Sequence, residues 1–316
     1  MKHNTHIYVA VKSIQFIKQS VDNLLDENDK HVKGQKKTKE RNNATNLQRY
    51  LQYYQDLIEE ATWAPDDVLK DNDPNHIFKL FTKNEFPDYN PKDRPTFKRD
   101  KVTYYKFAGG LPYRIDHIAR SIKNMCKLRD YNDQFDMRQI MYHYLLLSHY
   151  IVDAHVPVHC DLRDDPPKSG KVADPSKRKG KDKPKGKYMK DSAHGSLESL
   201  WDKAVTPVAI GENIIARTRI REKIKHTDLS DAVTFTLGDC KKGREIQVKS
   251  IAPNGLMDFM IDVCVQSKIR CQKLFPLDNP QKRNDDILEE TTRAIFADCI
   301  GNLLSIWRYI WVHQRT

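Results

Sequence analysis

His149, Asp153 and His159 stand at the spacing H-x3-D-x5-H inside an apolar run. His149 and Asp153 are four positions apart, so on a helix they share one face and can grip one ion together. Pro157 disfavours helix at Val156 and at itself, and a turn there lets His159 point back toward a neighbouring ion. Imidazole and carboxylate at such spacing suit zinc above other metals.

Further candidate ligands appear in chain order. His6 lies near the start of the first helix. Asp66 follows Ala64-Pro65 in a turn after the second helix, with Asp67 as its alternative, and His76 follows in Asn75-His76-Ile77-Phe78. His194 and Glu198 form a second i,i+4 pair on a helix that Asp191 or Ser192 can cap. A single histidine is more often packed in a core than bound to metal. Two such pairs joined by the H-x3-D-x5-H run predict a multinuclear metal site instead.

The elements that must position these residues are helical. Apolar residues at helical spacing predict helices over 7–25, 46–61, 115–128, 137–154, 193–204, 211–224, 256–274 and 285–312. The helix over 137–154 is apolar nearly all round and is expected at the centre. Strand signals are few, with one small hairpin expected from 233–237 and 245–248. The expected fold class is all-α, in one domain over residues 1–316.

The 316 residues include 39% hydrophobic and 9% aromatic types, enough for a substantial core. Six cysteines without a CxxC pair read as buried thiols of a reducing compartment, Cys160 among them despite its place beside His159. No secretory signal and no membrane-length apolar run is seen. The expectation is a cytoplasmic protein without a transmembrane segment, or the expressed mature form of a secreted one.

The net charge of +11 favours a polyanionic partner, either nucleic acid or an anionic lipid surface. Residues 166–190, from Pro166 to Lys190, hold ten Lys/Arg against two Asp and carry most of that excess. Their composition predicts a mobile basic insertion, read either as a solvated loop or as an electrostatic arm for phosphates. Residues 83–107 mix aromatics with Lys and Arg. They are expected to form a long loop, pinned to the body by its rings or using them to stack bases or hold a lipid head group.

With these residues in order, the chain resembles the bacterial zinc-dependent phospholipases C and the related single-strand-specific zinc nucleases. The resemblance spans almost the whole chain and implies an all-helical fold with three zinc ions at the bottom of a cleft. Carried over by position, it implies that Asp66, His76, His149 and Asp153 hold one zinc and that His159, His194 and Glu198 hold a second. His6, Asp153 and the terminal amine and carbonyl of Met1 would hold the third. Secreted members begin with tryptophan, so Met1 is a departure and His3 its alternative.

The reaction implied is phosphodiester hydrolysis by a metal-activated water, with Asp66 as the catalytic group that accepts the water's proton. Glu198 and the Ala-Pro-Asp turn look more like the phospholipase branch, whose substrate is a phospholipid. The nuclease branch, acting on single-stranded nucleic acid, typically has aspartate at the last ligand and arginine where Leu69 stands here. Nuclease or nucleotidase activity is the alternative, and a zinc-stabilised polyanion-binding protein without catalysis is the second.

Overall fold

The computed structural model describes residues 2–27, 34–71, 73–132, 136–164, 186–205 and 246–313. Nine α-helices account for most of these. They are α1 (His3–Glu27), α2 (Gly34–Tyr53), α3 (Ile58–Asp67), α4 (Asp73–His76), α5 (Leu111–Asn132), α6 (Met137–Ala154), α7 (Ala193–Ala204), α8 (Leu256–Leu274) and α9 (Leu288–Val312).

Helix α6 is the centre, as its all-round apolar sequence predicts. The Asp136 carboxylate accepts from the Arg138 amide and starts the helix. Its residues from Tyr144 to Ala154 are all buried, packed among α1, α3, α5, α8 and α9. Polar groups inside such a helix need partners at once, and those of His149 and Asp153 are one another and the site around them.

The helical expectation needs one correction. Strands β1 (Phe78–Phe81), β2 (Thr96–Arg99) and β3 (Val102–Gly109) form an antiparallel sheet in the order β1-β3-β2. The fold is therefore mostly helical with a small sheet, and not all-α. Residues 83–107, expected as a loop, contain β2 and most of β3. Arg99 pairs with Val102, and the two residues between them, Asp100 (φ 46°) and Lys101 (φ 65°), are left-handed. This matches a type I′ hairpin turn, though without the glycine that usually announces one.

The aromatic side chains of this segment face the body, as the pinning reading required. Phe86 and Tyr104 are buried, and Tyr105 stacks on Phe81 at 5.4 Å between ring centres. β3 ends at Gly109, where φ is 93° and a Cβ would sit 2.1 Å from the Ile77 carbonyl oxygen. Only glycine fits that crossing.

Other boundaries also move. The helix expected over 46–61 breaks at Tyr54, and α3 runs through Pro65 so that Asp66 lies in its last turn, not in a turn after it. Ser192 takes the N-cap position of α7 without a side-chain cap bond. Residues 246–248 are not strand. The helix expected over 211–224 and the strand over 233–237 lie outside the described residues, as do Met1, Cys240 and residues 166–185. Of the described end of the basic insertion, residues 186–190, Tyr188 and Met189 are buried, Met189 at 1% exposure with its amide donating to the Arg163 carbonyl, while Gly186, Lys187 and Lys190 are exposed. The five described cysteines are buried free thiols, and Cys160 points at the Ala154 carbonyl. No helix among the described residues is long and apolar enough to cross a membrane.

Candidate metal centre

Six separate elements converge beneath one cleft of about 720 Å³. His6 comes from α1, Asp66 from the end of α3 and His76 from the end of α4. His149 and Asp153 come from α6, and His194 and Glu198 from the first turns of α7. His159 lies in the 3-10 turn Pro157–Cys160, which starts where Val156 turns extended before Pro157. That turn swings His159 back over the helix end, as the proline predicted.

The first group gathers round Oδ2 of Asp153. His76 Nδ1 lies 2.8 Å from it and His149 Nε2 3.2 Å. The two nitrogens are 3.2 Å apart, and Asp66 Oδ1 lies 3.7 Å from the first and 3.5 Å from the second. In a tetrahedral zinc site with bonds of about 2.0–2.1 Å, donor atoms are about 3.3 Å apart. These separations bracket that edge: Asp66, His76 and His149 come together as one donor group, and Asp153 Oδ2 flanks the two histidines from the other side.

A second group is tighter. His159 Nε2, His194 Nε2 and Glu198 Oε1 form a triangle with sides of 3.0, 3.1 and 3.2 Å. Three protein donors with one side open is the pattern of a catalytic zinc position. Asp153 Oδ1 turns to the third group, 3.7 Å from His6 Nε2 and 3.6 Å from His159 Nδ1. The His6 ring stacks on His149 at 4.1 Å. His3 is not part of any group: it lies against Trp63 and faces Glu59. Asp67 is exposed and also outside them, so Asp66 is the member that the fold brings in.

The electrostatics are those of a proton-loaded site. Burial opposes charge on His149, but the carboxylates of Asp153 and Asp66 push its pKa up to about 9. His194 likewise reaches about 9 against burial, through Asp164 and Glu198. His159 is lowered, because burial outweighs the pull of Asp153. Burial pushes the Asp153 carboxyl up, yet the positive charges beside it, His149 and His159 among them, hold it well below the carboxylate range. Packing this many imidazoles and carboxylates in a buried space is costly without protons or cations between them.

The donors fit zinc on two counts. The separations suit tetrahedral N/O coordination, and outer partners already fix two imidazoles. Nδ1 of His149 donates to the Thr62 carbonyl at 2.7 Å, and Nδ1 of His194 donates to Asp164 at 3.0 Å. Both leave Nε2 facing the site.

Several supporting residues escaped the sequence reading. Asp71 accepts from Tyr150 and Asn75 and pairs with the Arg114 guanidinium, and so ties the turn between Asp66 and His76 to α6 and α5. Lys79 and Asp164 line the cleft. Glu85, Asp161, Arg163 and Lys268 form a fully buried charge network that holds the segment after His159 against α8. Apart from the local Asp71–Asn75 and Asp161–Arg163 pairs, each meets its partners across the fold, where no spacing signal reaches.

Comparison with protein-family models, curated proteins and solved structures finds no match to this chain. The likeness to zinc phospholipases C and zinc nucleases accordingly rests on the ligand residues and their order.

Proposed function

We propose that this protein is a zinc-dependent phosphodiester hydrolase of the phospholipase C type. The observation that carries the reading is the triple use of one cleft floor: three donor groups, with Asp153 offering one oxygen to His76 and His149 and the other toward His6 and His159. A structural zinc needs one closed set of four ligands, not adjoining sets open to a cleft.

Asp66, His76, His149 and Asp153 would hold one ion, and His159, His194 and Glu198 a second. His6 and Asp153 would take part in the third, with Met1 outside the described residues. When bound, zinc supplies Lewis acidity toward phosphoryl oxygens and lowers the pKa of water toward about 7. The Asp66 side chain is 36% accessible, and so can also take up a proton at the mouth of the cleft. Asp153, His149 and His6 lie deeper and hold the floor rigid.

Single-stranded nucleic acid is the second reading of the substrate. It is favoured by Lys70 and Lys79 in the cleft lining and by the positive charge of residues 166–190. Counting metals in purified protein, then assaying a choline phospholipid, single-stranded DNA and RNA in parallel, tests both. Metal-dependent hydrolysis of one of them is expected. Protein that takes up zinc and cleaves no phosphodiester would sink the catalytic reading.

A further inference from the structure

Asp164 and Lys79 belong to none of the three donor groups, yet both touch the supports of the second. Asp164 Oδ2 lies 3.0 Å from His194 Nδ1 and 3.1 Å from the Lys79 ammonium. The same ammonium donates to the carbonyl of Val158 at 2.8 Å, one residue before His159. Both side chains are nearly inaccessible, Lys79 at 5% and Asp164 at 3%.

We propose that Asp164 is the positioning residue of the His159–His194–Glu198 group and that Lys79 is the strut holding it there. The inference rests on reading that group as a metal site.

A metal takes the lone pair of one imidazole nitrogen, and which nitrogen offers it depends on what the other one is bonded to. A carboxylate can only accept, so Asp164 fixes the proton on Nδ1 of His194. Nε2 then turns its lone pair toward His159 and Glu198, the direction the triangle requires. Helix α7 does not impose this by itself. His194 is its second residue, and its side chain is 36% accessible, so the ring has room to rotate.

Asp164 comes from the 3-10 turn Leu162–Asp164, a different element, and is itself held by β1 through Lys79. Lys79 thereby offsets the buried carboxylate and ties down the backbone entering His159. One ammonium supports two of the three donors. His149 has a neutral carbonyl in the equivalent place, so the charged partner makes His194 the more strongly donating ligand.

The test uses full-length protein and zinc alone. Affinity is measured by competition with a chromophoric chelator for wild type, Asp164→Ala and Asp164→Asn, with cobalt spectra of each. Asp164→Ala is expected to weaken one site about 10- to 100-fold, leave the others unchanged and alter the cobalt spectrum. Asp164→Asn, whose side-chain carbonyl can accept the same N–H bond, is expected to restore most of the affinity. Wild-type affinity at every site in Asp164→Ala overturns the inference, as does an asparagine variant no better than alanine.

A measurement on zinc-loaded wild type needs no variant to fold. Nitrogen-15 spectra are expected to show His194 bound through Nε2 with its proton on Nδ1, and binding through Nδ1 overturns the assignment. Wild type that binds no zinc overturns the metal reading itself, an outcome distinct from a failed variant.

Discussion

The Nε2 atoms of His159 and His194 face each other at 3.0 Å across 35 positions of sequence. With Nδ1 of His194 donating to Asp164, its Nε2 enters this pair as an acceptor unless it is protonated. Glu198 adds another acceptor at 3.1 Å from one nitrogen and 3.2 Å from the other. Such an arrangement is stable only around positive charge, either a proton or a cation. Substituting His159 or His194 by alanine is therefore expected to remove one zinc and to leave the other two in place. Metal counts by mass spectrometry or atomic absorption check this; a full complement in either variant disposes of the triangle as a site.

Asp153 should be the more damaging position. Its two oxygens face different histidines, so Asp153→Ala is expected to lose two ions where His194→Ala loses one, and to reduce hydrolysis to background. Asp153→Asn keeps the shape but removes the charge, and is expected to fall between them. Equal metal content in Asp153→Ala and His194→Ala argues against a bridging role.

Metal binding should depend steeply on pH. His149 and His194, raised to about 9, are both protonated at pH 7, and zinc must displace both protons. Affinity is expected to climb from pH 7 toward 9, with about two protons released per molecule at pH 7. The dependence of binding heat on buffer ionisation enthalpy measures that number; a value near zero contradicts it. For the zinc-free fold the sign is opposite. The folded pKa values lie above the unfolded value of about 6.5, so the stabilisation from these two groups is full below that pH and lost as pH rises toward 9. Zinc-free protein should therefore lose this contribution just as zinc binds more tightly.

The basic insertion is separable from the site only in part. Tyr188 and Met189 are buried, so removal through residue 190 would damage the core. Deleting 166–185 alone is expected to keep the metal content. If those residues contact phosphates, the deletion also flattens the salt dependence of binding to single-stranded DNA or anionic vesicles, because fewer counterions are released. Identical slopes with and without them would end the electrostatic-arm reading.

The buried network gives a stability prediction. Lys268 lies fully buried between Glu85 and Asp161, so Lys268→Met leaves carboxylates uncompensated beside Arg163. A loss of about 3–5 kcal/mol in denaturant unfolding is expected. A change below about 1 kcal/mol would mean that Arg163 alone neutralises the cluster.

The sequence by itself determined most of the long described helices, though not the break at Tyr54, and the local pairs. The span of α6, the i,i+4 pairs His149–Asp153 and His194–Glu198, and the break at Pro157 follow from periodicity and backbone sterics within a few residues. The grouping of the remaining candidate ligands came from their order in a resembling family, not from any local rule. What only the tertiary structure decided lies in contacts between distant segments. The β2–β3 hairpin turns on Asp100-Lys101, whose left-handed backbone is stabilised by strand pairing rather than announced by glycine. Asp66 over Asp67 depends on how far α3 continues past Pro65. Lys79 and Asp164 act through partners that no spacing links to them, as does Asp71 through Tyr150 and Arg114. Helix and turn signals are local because backbone sterics are local. A buried charge finds its partner through packing, and packing is a property of the whole fold.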